Sequence, residues 1–218
     1  MRNVLRLLWG ILPASTAKNW LARCVGYEVD PTAKVHAILL LGVHELLVGR
    51  HARIGSFSVF RQLRQVTVRE FGRIGQWNWV SSAPDFWSEA DGSGRAIVGE
   101  HASITSRHYI DCSGGFSIGA FSTMAGVRST IITHGISIKN SVQECAAVTI
   151  GNFSIVSSNV KLVPGATVPD NSLVAMGAVV SKGLNQPFYV YGGVPARRLA
   201  SLPEDSAYFG RSDGRVAV

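Results

Sequence analysis

Cysteine, charge and long apolar runs are all scarce in this sequence. Only three of its 218 residues are cysteines, Cys24, Cys112 and Cys145, and they are far apart with no CxxC pair. This spacing argues against a disulfide framework or a zinc knuckle, and it favours a reducing cytoplasm. Charged residues make up 16% of the chain against 46% hydrophobic ones, the reverse of the balance in disordered proteins. The length favours one domain with a sizeable core.

No stretch reaches the roughly 20 apolar residues that a membrane-spanning helix needs. The nearest candidate, VLRLLWGIL at residues 4–12, is interrupted by Arg6 and is short even for a signal-peptide core, although the small residues after it leave secretion open. The segment fits an amphipathic helix with Arg2, Arg6, Lys18 and Arg23 on or near its polar side. Such a helix either caps the core or makes a peripheral contact with anionic lipid at the inner face of the membrane.

Basic residues outnumber acidic ones, 21 to 14, for a net charge of +7. A surplus of this size fits a nucleic acid, an anionic membrane or a phosphate-bearing ligand as partner. Because no RNA- or DNA-reading motif accompanies it, a nucleic-acid partner is not expected.

A six-residue repeat dominates the sequence. Each unit opens with an aliphatic residue, commonly followed by Gly, and carries a small or β-branched residue at its fifth place. The repeat occurs at residues 48–59, 68–79, 98–109 and 118–129, and without a gap at residues 150–179. A period of six matches neither a helix nor simple strand alternation. A period of six does fit a unit made of one short strand and one corner. Three such units close a triangular coil of about eighteen residues, and each coil stacks on the next. The sequence therefore predicts an all-β, parallel β-helix.

Two local expectations follow from the repeat. The Gly, Asn or Asp after the aliphatic residue should supply the unusual backbone angles of the corners. The small fifth residue should fit the crowded interior beside each corner. Residues 81–95 and 131–148 break the period and are predicted as loops on the working side.

We expect three parts in the chain. Residues 1–30 form an N-terminal helical segment, residues 31–182 the hexapeptide-repeat β-helix, and residues 183–218 a C-terminal tail and cap that contains a short helix from Arg197 onward.

The sequence resembles the hexapeptide-repeat acyltransferases, and most of all the sugar O-acetyltransferases of bacterial envelope polysaccharide synthesis. Three features carry the resemblance: the repeat itself, Thr133-His134 shortly before the repeats restart at Val148, and GGVPAR at residues 192–197. It implies a left-handed β-helix and a homotrimer with its sites between neighbouring chains. It also implies transfer of an acetyl group from acetyl-CoA directly to a hydroxyl or amine of a sugar, without a metal.

The resemblance also implies roles for individual residues. Acetyl transfer needs a base for the attacking group, and histidine suits this task because its pKa lies near neutral pH. His134 is the expected general base, and Arg107, His108 and Asp111 are expected acceptor contacts. The chain departs from relatives that have His-Asp, because Gly135 follows His134 here. Gln143 or Glu144, on the same period-breaking segment and assigned to the substrate pocket, or a backbone carbonyl, could orient the imidazole instead. The expected contacts to coenzyme A are Ser158, Met176, Ser181, Lys182 and Arg197, the last two facing its phosphates.

Two other readings stay open. A γ-class carbonic anhydrase has the same β-helix but needs three histidines on one zinc. A non-catalytic β-helix scaffold has no need of the Thr133-His134 segment or of the GGVPAR ending. Cys145 lies near His134, but a small apolar role suits it better than that of a nucleophile.

Overall fold

The computed structural model describes residues 1–88, 92–181, 183–214 and 216. Two helices, α1 (Arg2–Ile11) and α2 (Thr16–Leu21), and a 3₁₀ turn (Ala22–Val25) open the chain. The strands are β1 (Glu28–Val29), β2 (Lys34–Val35), β3 (Leu39–Val48), β4 (Arg53–Ile54), β5 (Val59–Val68), β6 (Arg73–Ile74), β7 (Trp79–Ser81), β8 (Arg95–Val98), β9 (Ser103–Ile104), β10 (Tyr109–Asp111), β11 (Phe116–Ile118), β12 (Thr123–Met124), β13 (Thr130–Ile131), β14 (His134–Ser137), β15 (Val142–Cys145), β16 (Val148–Ile150), β17 (Ile155–Val156), β18 (Lys161–Leu162), β19 (Thr167–Val168), β20 (Leu173–Val174), β21 (Val179–Val180), β22 (Tyr189–Gly192) and β23 (Arg197–Ser201). Further 3₁₀ turns span Pro84–Phe86 and Ala207–Gly210.

The strands form the three faces of a parallel coil. Face 1 contains β2, β4, β6, β9, β12, β17, β20 and β22. Face 2 contains the starts of β3 and β5, then β7, β10, β13, β18 and β21, and face 3 contains β1, the ends of β3 and β5, then β8, β11, β16 and β19. β3 and β5 cross from face 2 to face 3, bending at Gly42 and Gln62, whose φ angles are +76° and +50°. The predicted parallel β-helix is confirmed.

The core is a stack of one aliphatic or apolar side chain per strand. Face 1 contributes Val35, Ile54, Ile74, Ile104, Met124, Val156 and Val174; face 2 contributes Leu40, Phe60, Val80, Ile110, Ile131, Leu162 and Val180; face 3 contributes Val29, Val48, Val68, Val98, Ile118, Ile150 and Val168. Each coil covers the apolar layer of its neighbour, so the core exists only in the stack.

The corners differ from the expectation in which residue bends the chain. Positive φ angles occur at the fourth place of the repeat, for example at Phe71 (+55°) and Asn171 (+54°), rather than at the Gly in second place. The second-place Gly answers a different need, because the next coil passes close to it. A Cβ on Gly55 would lie 2.7 Å from the backbone of Gly75, and one on Gly119 would lie 2.6 Å from that of Gly151, so only Gly allows this stacking.

The N-terminal helices match the expected orientation only in part, because Arg2 and Arg23 are exposed but the other two basic residues are not. Arg6 and Lys18, predicted on the polar side of the helix, are buried. Arg6 donates hydrogen bonds to the carbonyls of Val25, Val43 and His44, while the Lys18 ammonium donates to three carbonyls, including Gly10 at 2.8 Å. These acceptors lie at the C-terminal end of α1 and in the 3₁₀ turn, and also in the first coil, at His36, Val43 and His44, and the cationic side chains satisfy them.

The exposed side of α1 is therefore apolar. Val4, Leu5, Leu8, Ile11 and Leu12 all face solvent on α1 and its C-terminal end. Among the described residues, no helix is long and apolar enough to pass through a bilayer.

The C-terminal segment extends face 1 and then returns along the prism. β22 pairs parallel with β20, and β23 pairs antiparallel with β22, so the helix expected from Arg197 is wrong. An antiparallel strand there covers the last open edge of the sheet. Past the 3₁₀ turn, the Arg211 guanidinium lies 3.7 Å from the Tyr208 ring centroid. At the other end, β1 begins the coil at Glu28, just before the expected boundary at residue 31.

Candidate active site

His134 and Asp111 form a hydrogen-bonded pair at the edge between faces 2 and 3. Asp111 ends β10 and His134 begins β14, just after β13, and β10 and β13 are neighbours on face 2. The antiparallel β14–β15 hairpin projects from this edge. His134 Nδ1 lies 2.8 Å from Asp111 Oδ2.

Asp111 is buried and surrounded by donors. Its Oδ1 accepts from the Ser113 backbone N–H at 3.2 Å and from Ser113 Oγ at 2.6 Å. Its Oδ2 accepts from the Thr133 backbone N–H at 2.8 Å and from Thr133 Oγ1 at 2.6 Å, in addition to His134. Burial alone would raise the pKa of Asp111, but the hydrogen bonds from Ser113, Thr133 and His134 outweigh it and hold that pKa below its usual value.

A carboxylate can only accept, so the Asp111 hydrogen bond places the imidazole proton of His134 on Nδ1. Nε2 then carries the lone pair and has no hydrogen-bond partner among the residues that the structure describes. The His134 side chain is 40% exposed, and the Phe86 ring lies 5.6 Å from it, centroid to centroid. The pair thus presents a fixed, accessible base at the edge of the prism.

The group that orients His134 is Asp111, which sequence reasoning assigned instead to the acceptor. Gln143 and Glu144, the expected orienting groups, lie on β15 opposite Ile136 and Gly135. Both are exposed, and Glu144 Oε1 accepts from Asn140 Nδ2 at 3.4 Å. They stay near His134 on the hairpin but do not hold its ring.

His108 is not placed to contact an acceptor, because it is only 2% exposed. Its Nδ1 accepts from the Ser129 backbone N–H at 3.2 Å, and its Nε2 lies 3.0 Å from Thr105 Oγ1. Burial lowers the pKa of His108 to about 4, against a smaller raising effect from Gly126. In the repeat unit ITSRHY, His108 occupies the fifth place, which points inward. The repeat period by itself therefore predicts that this side chain is buried.

Arg107 is exposed at a different edge, between faces 1 and 2. It occupies the fourth place of its repeat unit with a φ angle of +62°. Within one chain it therefore lies on the other side of face 2 from His134.

The expected coenzyme A contacts divide between the same two edges. Ser158 and Met176 lie on the edge between faces 1 and 2, each after a face 1 strand, and Met176 is 71% exposed. Ser181 follows β21 on the edge of His134, and it lines a cavity of about 310 Å³ together with Arg197. The prediction at Lys182 lies outside the described residues.

The reading as a zinc enzyme finds no support in the described residues, where no three His, Cys, Asp or Glu side chains gather to hold a metal ion. Cys145 lies across the hairpin from His134, with the two residues directly paired in register.

None of the known protein-family models matches the chain. A galactoside O-acetyltransferase from Escherichia coli (strain K12) is 32% identical over 78 residues, which span 36% of this chain and 38% of that protein. The structure of the polysialic acid O-acetyltransferase OatWY superposes with a TM-score of 0.57 at 16% identity, covering 84% of this chain and 90% of that one. A hexapeptide-repeat acetyltransferase from Vibrio cholerae O1 biovar eltor, complexed with acetyl coenzyme A, gives 0.50 at 17% identity, covering 93% and 86%.

These comparisons confirm two predictions. The resemblance to the hexapeptide-repeat sugar O-acetyltransferases is confirmed, and so is the left-handed parallel β-helix. The N-terminal helices and the C-terminal capping segment are seen in the structure itself. The match to the curated relative spans well under half of that protein's length.

Proposed function

We propose that the protein is an acetyltransferase that moves an acetyl group from acetyl-CoA to a hydroxyl or amine of a sugar or saccharide precursor. The observation that carries the proposal is the His134–Asp111 pair. The hydrogen bond of 2.8 Å between His134 Nδ1 and Asp111 Oδ2 fixes the tautomer of an accessible imidazole. The coenzyme A complex of one structural relative and the sugar acceptors named for two relatives support the donor and the acceptor class.

In the proposed reaction, His134 Nε2 removes the proton of the acceptor hydroxyl as its oxygen attacks the thioester carbonyl carbon. The new C–O bond forms, the C–S bond breaks, and the imidazolium returns the proton to the departing coenzyme A sulfur. Asp111 is a positioning residue that stabilises the imidazolium between these two steps. The transfer is direct and needs neither a metal nor a protein thiol.

The proposed cofactor site includes Ser158, Met176, Ser181, Lys182 and Arg197. Ser158 and Met176 lie on one edge of the prism, while Ser181 lies on the edge of His134. Within one chain, the width of face 2 separates Ser158 and Met176 from Ser181 and His134. Two neighbouring chains in an assembly bring them together, with Arg107, Gln143 and Glu144 as proposed acceptor contacts in the same groove.

We infer a homotrimer with face 2 turned toward the three-fold axis. Leu39, Leu41, Trp79 and Tyr109 lie on the outer side of face 2 and are each at least 40% exposed. Leu39 and Trp79 also line an apolar groove of about 540 Å³. An assembly that buries this face removes a large apolar surface from water. It also sets the edge with Ser158 against the next chain's edge with His134.

Three phenylalanines at the fourth place of their repeat units, Phe57, Phe121 and Phe153, divide between two edges. Phe57 borders face 2, but Phe121 and Phe153 stack on each other at 4.8 Å on the edge between faces 3 and 1. There Arg211 lies 6.0 Å from the Phe153 ring centroid. The C-terminal segment covers part of that edge, so face 2 is the better candidate for contact between chains.

The exposed apolar side of α1 supports a peripheral membrane contact from the cytoplasmic side. Three-fold symmetry would place three copies of α1, with Trp20 beside each, at the same end of the trimer. Several weak anchors in one plane bind a surface far more tightly than one. Trp20 is 64% exposed and carries the Arg23 guanidinium 5.9 Å from its ring, a pairing suited to an anionic lipid interface.

The decisive experiment measures release of coenzyme A thiol from acetyl-CoA with a panel of sugars, oligosaccharides and nucleotide sugars. We expect turnover that falls at least about 10²-fold in His134→Gln, the scale of lost general-base catalysis. His51→Gln is the matched control, because His51 lies on the edge between faces 3 and 1, stacked on Phe71. Equal turnover in wild type and His134→Gln would refute the base, and no turnover with any acceptor would favour the non-catalytic scaffold.

A further inference from the structure

The edge between faces 1 and 2 changes character along the prism. Its corner residues in successive coils are Phe57, Trp77, Arg107, Arg128, Asn159 and Gly177. Backbone hydrogen bonds join the corners: the Arg107 N–H donates to Gln76 O at 3.1 Å, and the Arg128 N–H donates to Arg107 O at 3.0 Å. The edge therefore runs from aromatic to cationic to small residues.

Phe57 and Trp77 form the aromatic part of this edge. Their rings stack with centroids 4.6 Å apart and an interplanar angle of 27°. They remain 55% and 54% exposed, although large aromatic side chains ordinarily bury most of their area. A flat exposed ring of this kind suits the C–H face of a pyranose.

Arg107 and Arg128 form the cationic part. Both are exposed, with left-handed φ angles of +62° and +63°, and neither guanidinium has an ion pair or a hydrogen bond among the described residues. Their corners belong to neighbouring coils, which stack about 4.8 Å apart, and like charges on neighbouring strands repel each other. An anion between them relieves the repulsion, and guanidinium groups match carboxylate and phosphate oxygens in pairs.

The height of these residues along the prism relates them to the base. Arg128 and His134 flank β13 in a single coil, at its two opposite ends. Closed three-fold symmetry involves no shift along the axis. In the trimer of the proposed function, on which this inference rests, Arg128 of one chain is therefore level with His134 of the next. Trp77 lies two coils nearer the N-terminus, and Ser158 lies on the opposite side of that level.

We propose that this edge is the acceptor subsite and that the acceptor is an acidic saccharide of at least two sugar units. One unit places its hydroxyl at His134 Nε2, and its carboxylate or phosphate pairs with Arg128 and Arg107. A further unit stacks on Trp77, about 10 Å away by the coil spacing. The transferred acetyl arrives from the other direction along the groove, where Ser158 and Met176 lie.

The test compares three acceptors in the thiol-release assay: an oligogalacturonate for carboxylates, a nucleotide sugar for phosphates, and maltotriose as neutral control. We expect kcat/KM to favour an acidic acceptor over the neutral one by at least about tenfold, and the preference to shrink at high salt. Arg128→Gln and Trp77→Ala should each raise the acceptor KM roughly five- to thirtyfold and leave the KM for acetyl-CoA unchanged. Arg53→Gln, on the outer side of β4, removes the same charge and should change neither constant.

Each other result has a definite meaning. A neutral acceptor used as well as the acidic ones overturns the inference, and so does a rise in the acetyl-CoA KM of Arg128→Gln, which would assign the arginines to the cofactor. If no acceptor is acetylated, the proposed function fails. Calorimetric titration with oligogalacturonate and the nucleotide sugar then tests the saccharide site independently of catalysis. Binding that Arg128→Gln loses upholds the saccharide site, whereas absent binding, or a monomer by light scattering, overturns it.

Discussion

Replacing Asp111 with Asn tests the positioning of His134 most directly. The carboxylate accepts hydrogen bonds from Ser113, from both the N–H and the hydroxyl of Thr133, and from His134. An amide offers one acceptor oxygen and one NH₂ donor. With the amide oxygen toward Ser113, its NH₂ group faces the Thr133 donors and His134 Nδ1. The imidazole then accepts at Nδ1 and carries its proton on Nε2, so it can no longer act as the base.

The expected loss has a kinetic and a thermodynamic part. Loss of the base tautomer should lower kcat by about 10²- to 10⁴-fold, with little effect on the KM for acetyl-CoA because Asp111 is buried below the groove. At least one buried Thr133 donor loses its acceptor, which costs about 2 kcal/mol of unfolding free energy. For a chain of this length that corresponds to a fall in Tm of about 4–8 °C.

The assay measures thiol release at 25 °C, well below the melting transition, alongside thermal unfolding followed by circular dichroism. The pKa of Asp111 is depressed in the folded protein, so its stabilising contribution is complete above the unfolded value near 3.8 and is lost as the pH falls through the lower folded value. The stability gap between wild type and Asp111→Asn should therefore be full at pH 7 and close only in strong acid. Unchanged kcat in a folded variant would refute the positioning role, and an unchanged Tm would refute the hydrogen-bond accounting.

Three further predictions address the assembly, the membrane contact and the interior. Mixed trimers of His134→Ala and Met176→Glu should recover part of the activity that each variant lacks alone, because some grooves receive both intact residues; complete failure in verified mixed trimers contradicts the shared site. Leu8→Glu should abolish co-flotation with vesicles containing phosphatidylglycerol, since Leu8 is 52% exposed on α1, while thiol release in solution stays constant; flotation equal to wild type contradicts the lipid contact. The pKa of His108 is lowered to about 4. Between pH 6.5 and 4 this side chain therefore binds a proton in the unfolded chain but not in the native state. Urea unfolding should show wild type losing about 2 kcal/mol from pH 7 to pH 5 relative to His108→Asn, and parallel curves for the two proteins would contradict the burial.

The fold follows from local pattern. A period of six gives each short strand one inward side chain. Stacked coils bury these side chains against one another, whatever the conformation of the loops inserted between the repeats. The fifth-place rule was also in the sequence, and applied to ITSRHY it places His108 inside the prism. His134 depended on the resemblance, because spacing alone does not separate it from the other histidines.

Tertiary structure decided what surrounds each of these residues. Asp111 reaches His134 because β10 and β13 stack on face 2, a neighbourhood set by the coil length and by the loops between them rather than by any local motif. The orientation of α1 was decided by the open carbonyls of the first coil, including Val43 and His44, which attract Arg6 inward. An amphipathic pattern specifies that two sides of a helix differ; which side turns inward depends on whether the surface beneath it needs apolar contact or hydrogen-bond donors.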